Sequence, residues 1–123
     1  MNRPILIIED NEQNLYLMRF LLERHGFTVV AAQNGRQGIE LACESTPLAI
    51  LLDIQLPFMD GYAVARELRK CENLSGVPII AVTSYAMLGD REKALEAGAT
   101  DYIEKPIDPD TFVDHLRRQL PGC

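Results

Sequence analysis

Two adjacent acids, Glu9-Asp10, a third acid at Asp53, a hydroxyl at Thr83 and an amine at Lys105 are the residues of this sequence best suited to chemistry. Each stands at the end of a run that reads as a β-strand. Asp53 follows Leu48-Ala49-Ile50-Leu51-Leu52, a continuous apolar run of the kind buried on both faces of a sheet. If those strand ends converge, three carboxylates share one rim with a hydroxyl and an ammonium. Two like charges ~4 Å apart cost about 4 kcal/mol at an effective dielectric of about 20. One lysine does not cancel that repulsion, whereas a divalent cation would. Carboxylate and carbonyl oxygens suit Mg²⁺ or Mn²⁺. A cation there would also screen Asp53, so that an anionic phosphoryl group can approach. Phosphoryl transfer asks mainly for positioning and charge stabilisation. Of the three outer oxygens, the metal can hold one and Lys105 another, and Thr83 can donate a hydrogen bond to the third. Asp53 is then the nucleophile and the product is an acyl phosphate.

Whether these groups meet depends on the elements between them. Ile5-Leu6-Ile7-Ile8 has the length and β-branching of a strand. Asn11 to His25 carries Leu15, Met18 and Leu22 at helical spacing, with Gly26 as a left-handed cap. Phe27 to Ala31 is a second strand, Asn34-Gly35 a turn or cap, and a helix with Ile39, Leu41 and Ala42 runs until Pro47 stops it. After Asp53, Pro57, Asp60 and Gly61 mark a loop, and Gly61 is expected to supply a backbone angle that other residues resist. Tyr62 to Cys71 reads as a helix with Val64, Leu68 and Cys71 inward, followed by a loop over 73–76. Val77 to Val82 is a fourth strand, Ala86 to Ala97 a charged helix closed by Gly98, and Asp101 to Glu104 a fifth strand. Asp108 is expected to cap the last helix with Pro109 at its first position, and Phe112, Leu116 and Leu120 to face the core until Pro121-Gly122 ends it. Five βα units without a linker or repeat predict one α/β domain over residues 1–123. It is a (βα)5 doubly wound, five-stranded parallel sheet with right-handed crossovers. The flavodoxin-like order 2-1-3-4-5 sets strands one, three and four side by side. Their carboxyl ends then carry Glu9-Asp10, Asp53 and Thr83, and strand five adds Lys105.

Composition narrows the function further. A formal charge of −6 with no basic run argues against a nucleic-acid surface. No stretch reaches the ~18 apolar residues that would span a membrane. Met1-Asn2-Arg3-Pro4 leads directly into a strand, with no signal peptide expected. A chain of 123 residues buries enough surface to fold without staples. Cys43, Cys71 and Cys123 form no CxxC pair, and with only two histidines a zinc site is not expected. Cys43 and Cys71 read as core thiols of a reducing compartment, consistent with a cytoplasmic protein. His25 and His115 read as surface residues, and Asp90-Arg91-Glu92-Lys93 as a solvated helical face with ion pairs.

In order and spacing, Glu9-Asp10, Asp53, Thr83-Ser84 and Lys105-Pro106 resemble the functional positions of receiver domains of two-component response regulators, of the stand-alone chemotaxis-regulator type. The resemblance covers essentially the whole chain and implies roles position by position. Asp53 matches the phosphorylated aspartate. Asp10 matches the direct metal ligand, Glu9 an acid that acts through water, and Gln55 the residue whose backbone carbonyl binds the metal, Mg²⁺ or Mn²⁺. Lys105 matches the phosphate-binding lysine, Thr83 the switch hydroxyl and Tyr102 the aromatic that turns inward with it. Ser84 is the small neighbour that leaves room for the phosphoryl group. The Lys105–Pro106 bond is expected to be cis. Gln55 and Tyr85 occupy positions that influence how long the phosphate survives, and neither is an acid that could orient water, so slow self-dephosphorylation is expected. The implied partners are a histidine kinase or phosphotransfer protein and an unknown downstream protein. The latter would be met on the face of the fourth helix, fifth strand and fifth helix, where Met87, Leu88 and Tyr102 offer apolar contacts. Neither nucleic acid nor membrane is an expected partner, and the protein should be a monomer or weak dimer that catalyses only its own phosphorylation and dephosphorylation.

Other readings make distinct demands. A piece of a larger hybrid kinase or multidomain regulator would carry the same residues, although Met1 and the clean ending favour a stand-alone protein. An aspartyl-phosphate phosphatase of the haloacid-dehalogenase type wants a second aspartate two residues past the nucleophile, where Gln55 stands. A flavin-binding electron carrier wants a Ser, Thr and Gly loop after strand one, where Glu9-Asp10-Asn11-Glu12 would repel phosphate. An unphosphorylated interaction module has no need of the intact acceptor set.

Overall fold

Runs of four or five residues dominated by Ile, Val, Leu and Ala form the first four strands, and an Asn or Asp side chain caps each of the first three helices. The computed structural model describes residues 3–84 and 89–120. Its elements are β1 (Ile5–Ile8), α1 (Glu12–Arg24), β2 (Val29–Ala32), α2 (Gly35–Ser45), β3 (Ala49–Asp53), α3 (Gly61–Arg69), a 3₁₀ turn (Glu72–Leu74), β4 (Ile79–Thr83), α4 (Asp90–Ala97), β5 (Asp101–Glu104) and α5 (Phe112–Gln119). Asn11, Asn34 and Asp60 cap α1, α2 and α3, each side chain accepting a hydrogen bond at 2.9 Å from the backbone three residues on. The five strands are parallel in the order β2-β1-β3-β4-β5, the flavodoxin-like arrangement expected.

Alternation along the strands divides the core into two layers. Leu6, Ile8, Ile50, Leu52, Ile79 and Ala81 face α2, α3 and α4, with Val64, Leu68 and Ala94 in the same layer. Ile5, Ile7, Leu51, Ile80, Val82 and Ile103 face α1 and α5, where Met18, Leu22, Phe112, Leu116 and Leu120 meet them. No helix among the described residues is long and apolar enough to cross a membrane.

The structure corrects several expectations. Cys43 and Cys71 are not separate thiols: they form a disulfide with their Cα atoms 6.2 Å apart. Sequence spacing could not show that the ends of two helices on the same face converge there. Cys71 is not helical either, because α3 stops at Arg69 with Lys70 as its cap, and Cys71 leads into the 3₁₀ turn. The last helix starts at Phe112 with Thr111 at its cap, not at Asp108 and Pro109. The Asp108 side chain accepts instead from the Asp110 N–H at 2.9 Å, and its carbonyl from Thr111 and Phe112, so 108–111 is a turn that feeds the helix. Gly61 has no positive φ; what it supplies is room. A Cβ there would fall 2.7 Å from the Asp53 carbonyl oxygen and closer still to the Ile54 Cα. The fourth helix runs from Asp90 behind Gly89 at φ 97°, not from Ala86; the expectations placed on Tyr85, Met87, Leu88, Pro121-Gly122 and Cys123 lie outside the described residues.

Two side chains unremarked in the sequence tie loops to this frame. The Arg69 guanidinium donates to the carbonyls of Gly98 at 2.8 Å and Leu74 at 2.6 Å, and to the Thr100 hydroxyl at 3.3 Å. Asn73 donates to the Cys43 carbonyl at 3.1 Å and the Thr46 hydroxyl at 2.6 Å. Thr46 ends α2 in the left-handed region at φ 45°, unfavourable for a β-branched residue. Asn73, together with Arg3 on the Thr46 and Pro47 carbonyls at 2.9 and 2.7 Å, holds it there.

Gly61→Ala is expected to lower unfolding free energy by about 1–3 kcal/mol through overpacking against backbone. Urea denaturation measures this, and an unchanged midpoint would show that the approach to β3 is loose.

Candidate functional site

Strand register assembles the site. Ile8 pairs with Leu52, so Glu9 comes beside Asp53. Asp53 pairs with Val82, which puts Thr83 one step beyond. Thr83 pairs with Glu104, and the Lys105 N–H donates to the Thr83 carbonyl at 2.8 Å. Alternation adds direction. Glu9 continues Ile5 and Ile7, Asp53 continues Leu51, and Lys105 continues Ile103, all on the α1/α5 side. Thr83 continues Ile79 and Ala81 and has the opposite parity.

The charged groups meet at short range. Lys105 Nζ lies 3.2 Å from Asp53 Oδ2 and 3.2 Å from Glu9 Oε1. Asp53 is 3% exposed and its Oδ1 accepts from the Gln55 N–H at 2.9 Å. Glu9 is fully buried, and its Oε2 accepts from the Asn11 N–H at 3.2 Å. Glu9 Oε1 has the charge contact with Lys105 but no oriented hydrogen bond. Burial, followed by the neighbouring Asp53, pushes the Glu9 carboxyl up to about 7 against the opposing pull of Lys105. Asp10 is exposed at the mouth. One carboxylate oxygen from each of Glu9, Asp10 and Asp53 lies within 4.8 Å of the others. A buried oxygen without a hydrogen-bond donor among three carboxylates fits a hard divalent cation, and this cluster could hold one.

Thr83 is 3% exposed at the end of β4 and Ser84 is exposed beside it. The Lys105–Pro106 peptide bond is cis. Tyr102 is half-buried against the α2/α3/α4 layer, and its hydroxyl donates to Glu104 at 3.4 Å. Burial, then Glu104, raise its phenol above the usual range. The histidines lie elsewhere. His25 Nδ1 contacts the Leu21 carbonyl at 2.8 Å, and His115 Nε2 contacts Asp101 at 2.7 Å in a half-buried pair that Gln119 also joins at 2.9 Å. Arg91, Glu92 and Lys93 are exposed, and the Lys93 ammonium sits 5.8 Å from the centre of the Tyr62 ring.

Two features of the rim were missed in the sequence. The Gln55 side chain, considered there for its backbone carbonyl, spans to β4 and accepts from the Ser84 N–H at 3.2 Å. Phe58 is fully exposed at φ 69°, the centre of a tight turn closed by the Met59 N–H on the Pro57 carbonyl at 2.8 Å. A bulky residue with that backbone angle carries no sequence signature.

A family model described as "Response regulator receiver domain" matches residues 5–117. The chain belongs to this family. Among curated relatives, this receiver is 39% identical to the polar-differentiation response regulator DivK of Brucella anthropi over 120 residues, 98% of each protein. The same regulator of Brucella abortus matches to the same extent. Among solved structures, the receiver domain of a sensor histidine kinase of Pseudomonas aeruginosa superposes with a TM-score of 0.88 at 39% identity. It covers 97% of this receiver and 98% of that chain, and that structure has a magnesium ion coordinated in its active site cleft. A CheY-like receiver domain protein of Methanospirillum hungatei gives a TM-score of 0.88 at 29% identity over 97% and 94% of the two chains.

In a thermal shift assay, Mg²⁺ is expected to raise the melting temperature of the wild type. Asp10→Asn is expected to require at least tenfold more Mg²⁺ for the same shift, a difference of about 1.4 kcal/mol in binding.

Proposed function

We propose that this receiver is a phosphorylation-dependent signalling switch that accepts a phosphoryl group on Asp53. The observation that carries the reading is the state of Asp53 itself. It is nearly buried at an open sheet edge, with Oδ1 held by the Gln55 N–H, Oδ2 against Lys105, and the Glu9 and Asp10 oxygens within 4.8 Å. Asp10, Asp53 and the Gln55 carbonyl would hold Mg²⁺, with Glu9 acting through water; bound, the cation would neutralise the carboxylates and stabilise charge on the transferring group.

The chain's own residues supply the rest. The Gln55 N–H fixes the carboxylate, so that Oδ2 is the oxygen presented to the donor. Lys105 exchanges its contact with Oδ2 for a phosphoryl oxygen and keeps Glu9 as a counter-charge. The Thr83 hydroxyl donates to another phosphoryl oxygen, and Ser84 leaves the approach open. Tyr102, two residues before Lys105 on β5, follows Thr83 inward. The phosphorylated and free states differ in these contacts, which is what a population shift requires. The donor is a histidine kinase or phosphotransfer protein, and the signal leaves through the face of α4, β5 and α5 to a protein target. The protein works in the cytoplasm, as a monomer or weak dimer, without nucleic acid or membrane, and catalyses only its own phosphorylation and dephosphorylation. Similarity to the receiver of a sensor kinase supports a second reading, in which these residues are a receiver piece of a larger regulator with the same chemistry.

Incubation with acetyl phosphate and Mg²⁺ is expected to add about 80 Da, one phosphoryl group. Asp53→Asn should abolish the adduct, and an adduct that survives the substitution would overturn the assignment of Asp53. Because neither Gln55 nor Tyr85 is an acid able to orient water, the purified phosphoprotein should decay slowly; loss of the label within seconds would contradict that expectation.

A further inference from the structure

The corner where α2 and α3 end is held by one covalent bond and several others. Cys43, near the end of α2, is joined to Cys71, just past the cap of α3. Both are half-buried against the core layer under α2, α3 and α4. The bridge links positions 28 residues apart, and the loop it closes contains β3, Asp53, the turn at Phe58 and α3. Helices between parallel strands run back against them, so the bridge lies at the sheet edge opposite Asp53. In the same corner Asn73 holds the Cys43 carbonyl and the Thr46 hydroxyl, Arg3 holds the Thr46 and Pro47 carbonyls, and Arg69 holds Leu74 and Gly98. None of these bonds needs the sulfur–sulfur bond. A domain of this size also has core enough to fold without one. Disulfides that the fold does not require are usually reversible in a reducing cytoplasm, so this step rests on the location given under the proposed function.

We propose that Cys43 and Cys71 are a reversible redox pair on the folded receiver, reduced by a dithiol of the thioredoxin class and reoxidised by glutathione disulfide. In the forward direction a thiolate of the dithiol attacks one sulfur of the bridge. The sulfur–sulfur bond breaks, and the other cysteine leaves as a thiolate and takes up a proton. The second thiol of the reductant then attacks its own sulfur in the mixed disulfide, releasing the remaining cysteine as a thiol and the reductant as a disulfide. Two electrons and two protons reach the receiver. Reduction releases the ends of α2 and α3 from one another and opens the covalent loop around Asp53. The redox state therefore sets how firmly α3 and the Glu72–Leu74 turn are held.

The test uses the full chain with Cys123→Ser, so that no third thiol exchanges. The protein is equilibrated without denaturant in glutathione mixtures and, separately, with thioredoxin and its reductase. Free thiols are then alkylated and counted by mass spectrometry, with circular dichroism and amide hydrogen exchange measured on both forms. The expected result is complete interconversion of two folded forms, with severalfold faster exchange in the reduced form confined to the end of α2, the end of α3 and the following turn. A Cys43→Ser/Cys71→Ser variant should match the reduced form in every glutathione mixture. Thiols that stay fully alkylatable in glutathione disulfide would overturn the proposal. So would a bridge that opens only in denaturant, a reduced form that is unfolded, or exchange profiles that do not differ.

Discussion

Two carboxylates withdrawn from water beside a single ammonium set the terms for this structure. Glu9 is fully buried, Asp53 nearly so, and Lys105 is shared between them at 3.2 Å from each. Withdrawing an ion from water is costly unless its partners are close and well oriented, and here one oxygen of Glu9 lacks an oriented donor. The protein relieves part of the imbalance by raising the Glu9 carboxyl to about 7, through burial and then Asp53. The acidic cluster with Asp10 could hold a divalent cation that would offset more of it. The apolar strands, the caps and the two-layer core hold these charges in place against their repulsion.

The frame was legible in the sequence because each layer of local information agreed with the next. Unbroken apolar runs read as buried strands, Asn34-Gly35 as a turn or cap, and the βα alternation left few topologies. The site's chemical groups were legible for the same reason, since the topology alone carries Glu9, Asp10, Asp53, Thr83 and Lys105 to one edge. What escaped was what depends on side-chain reach and on helix ends. The Cys43–Cys71 bond joins residues distant in the chain whose partnership exists only after α2 and α3 pack. Asp108 does accept from the Asp110 N–H as a capping side chain would, but residues 109–111 stay in a turn and α5 begins only at Phe112. Gly61 was singled out for the wrong reason: its backbone angle is ordinary, and the demand comes from β3 behind it. Phe58 and the Gln55 side chain gave no warning, since neither a strained turn nor a loop-to-loop hydrogen bond follows from residue type.

Away from the site, three polar side chains each bind two or more backbone or hydroxyl groups of neighbouring loops. Arg69 anchors the segments after α3 and α4, and Asn73 with Arg3 secures an unfavourable Thr46.

The opposite parity of Thr83 has its own consequence. Glu9, Asp53 and Lys105 belong to the side of the sheet that meets α1 and α5, while Thr83 continues the row of Ile79 and Ala81 beneath α2, α3 and α4. A ligand grasped by both Lys105 and Thr83 would straddle the margin of the sheet like a clasp over the edge of a page. Whatever it altered would be felt on both surfaces of the page at once.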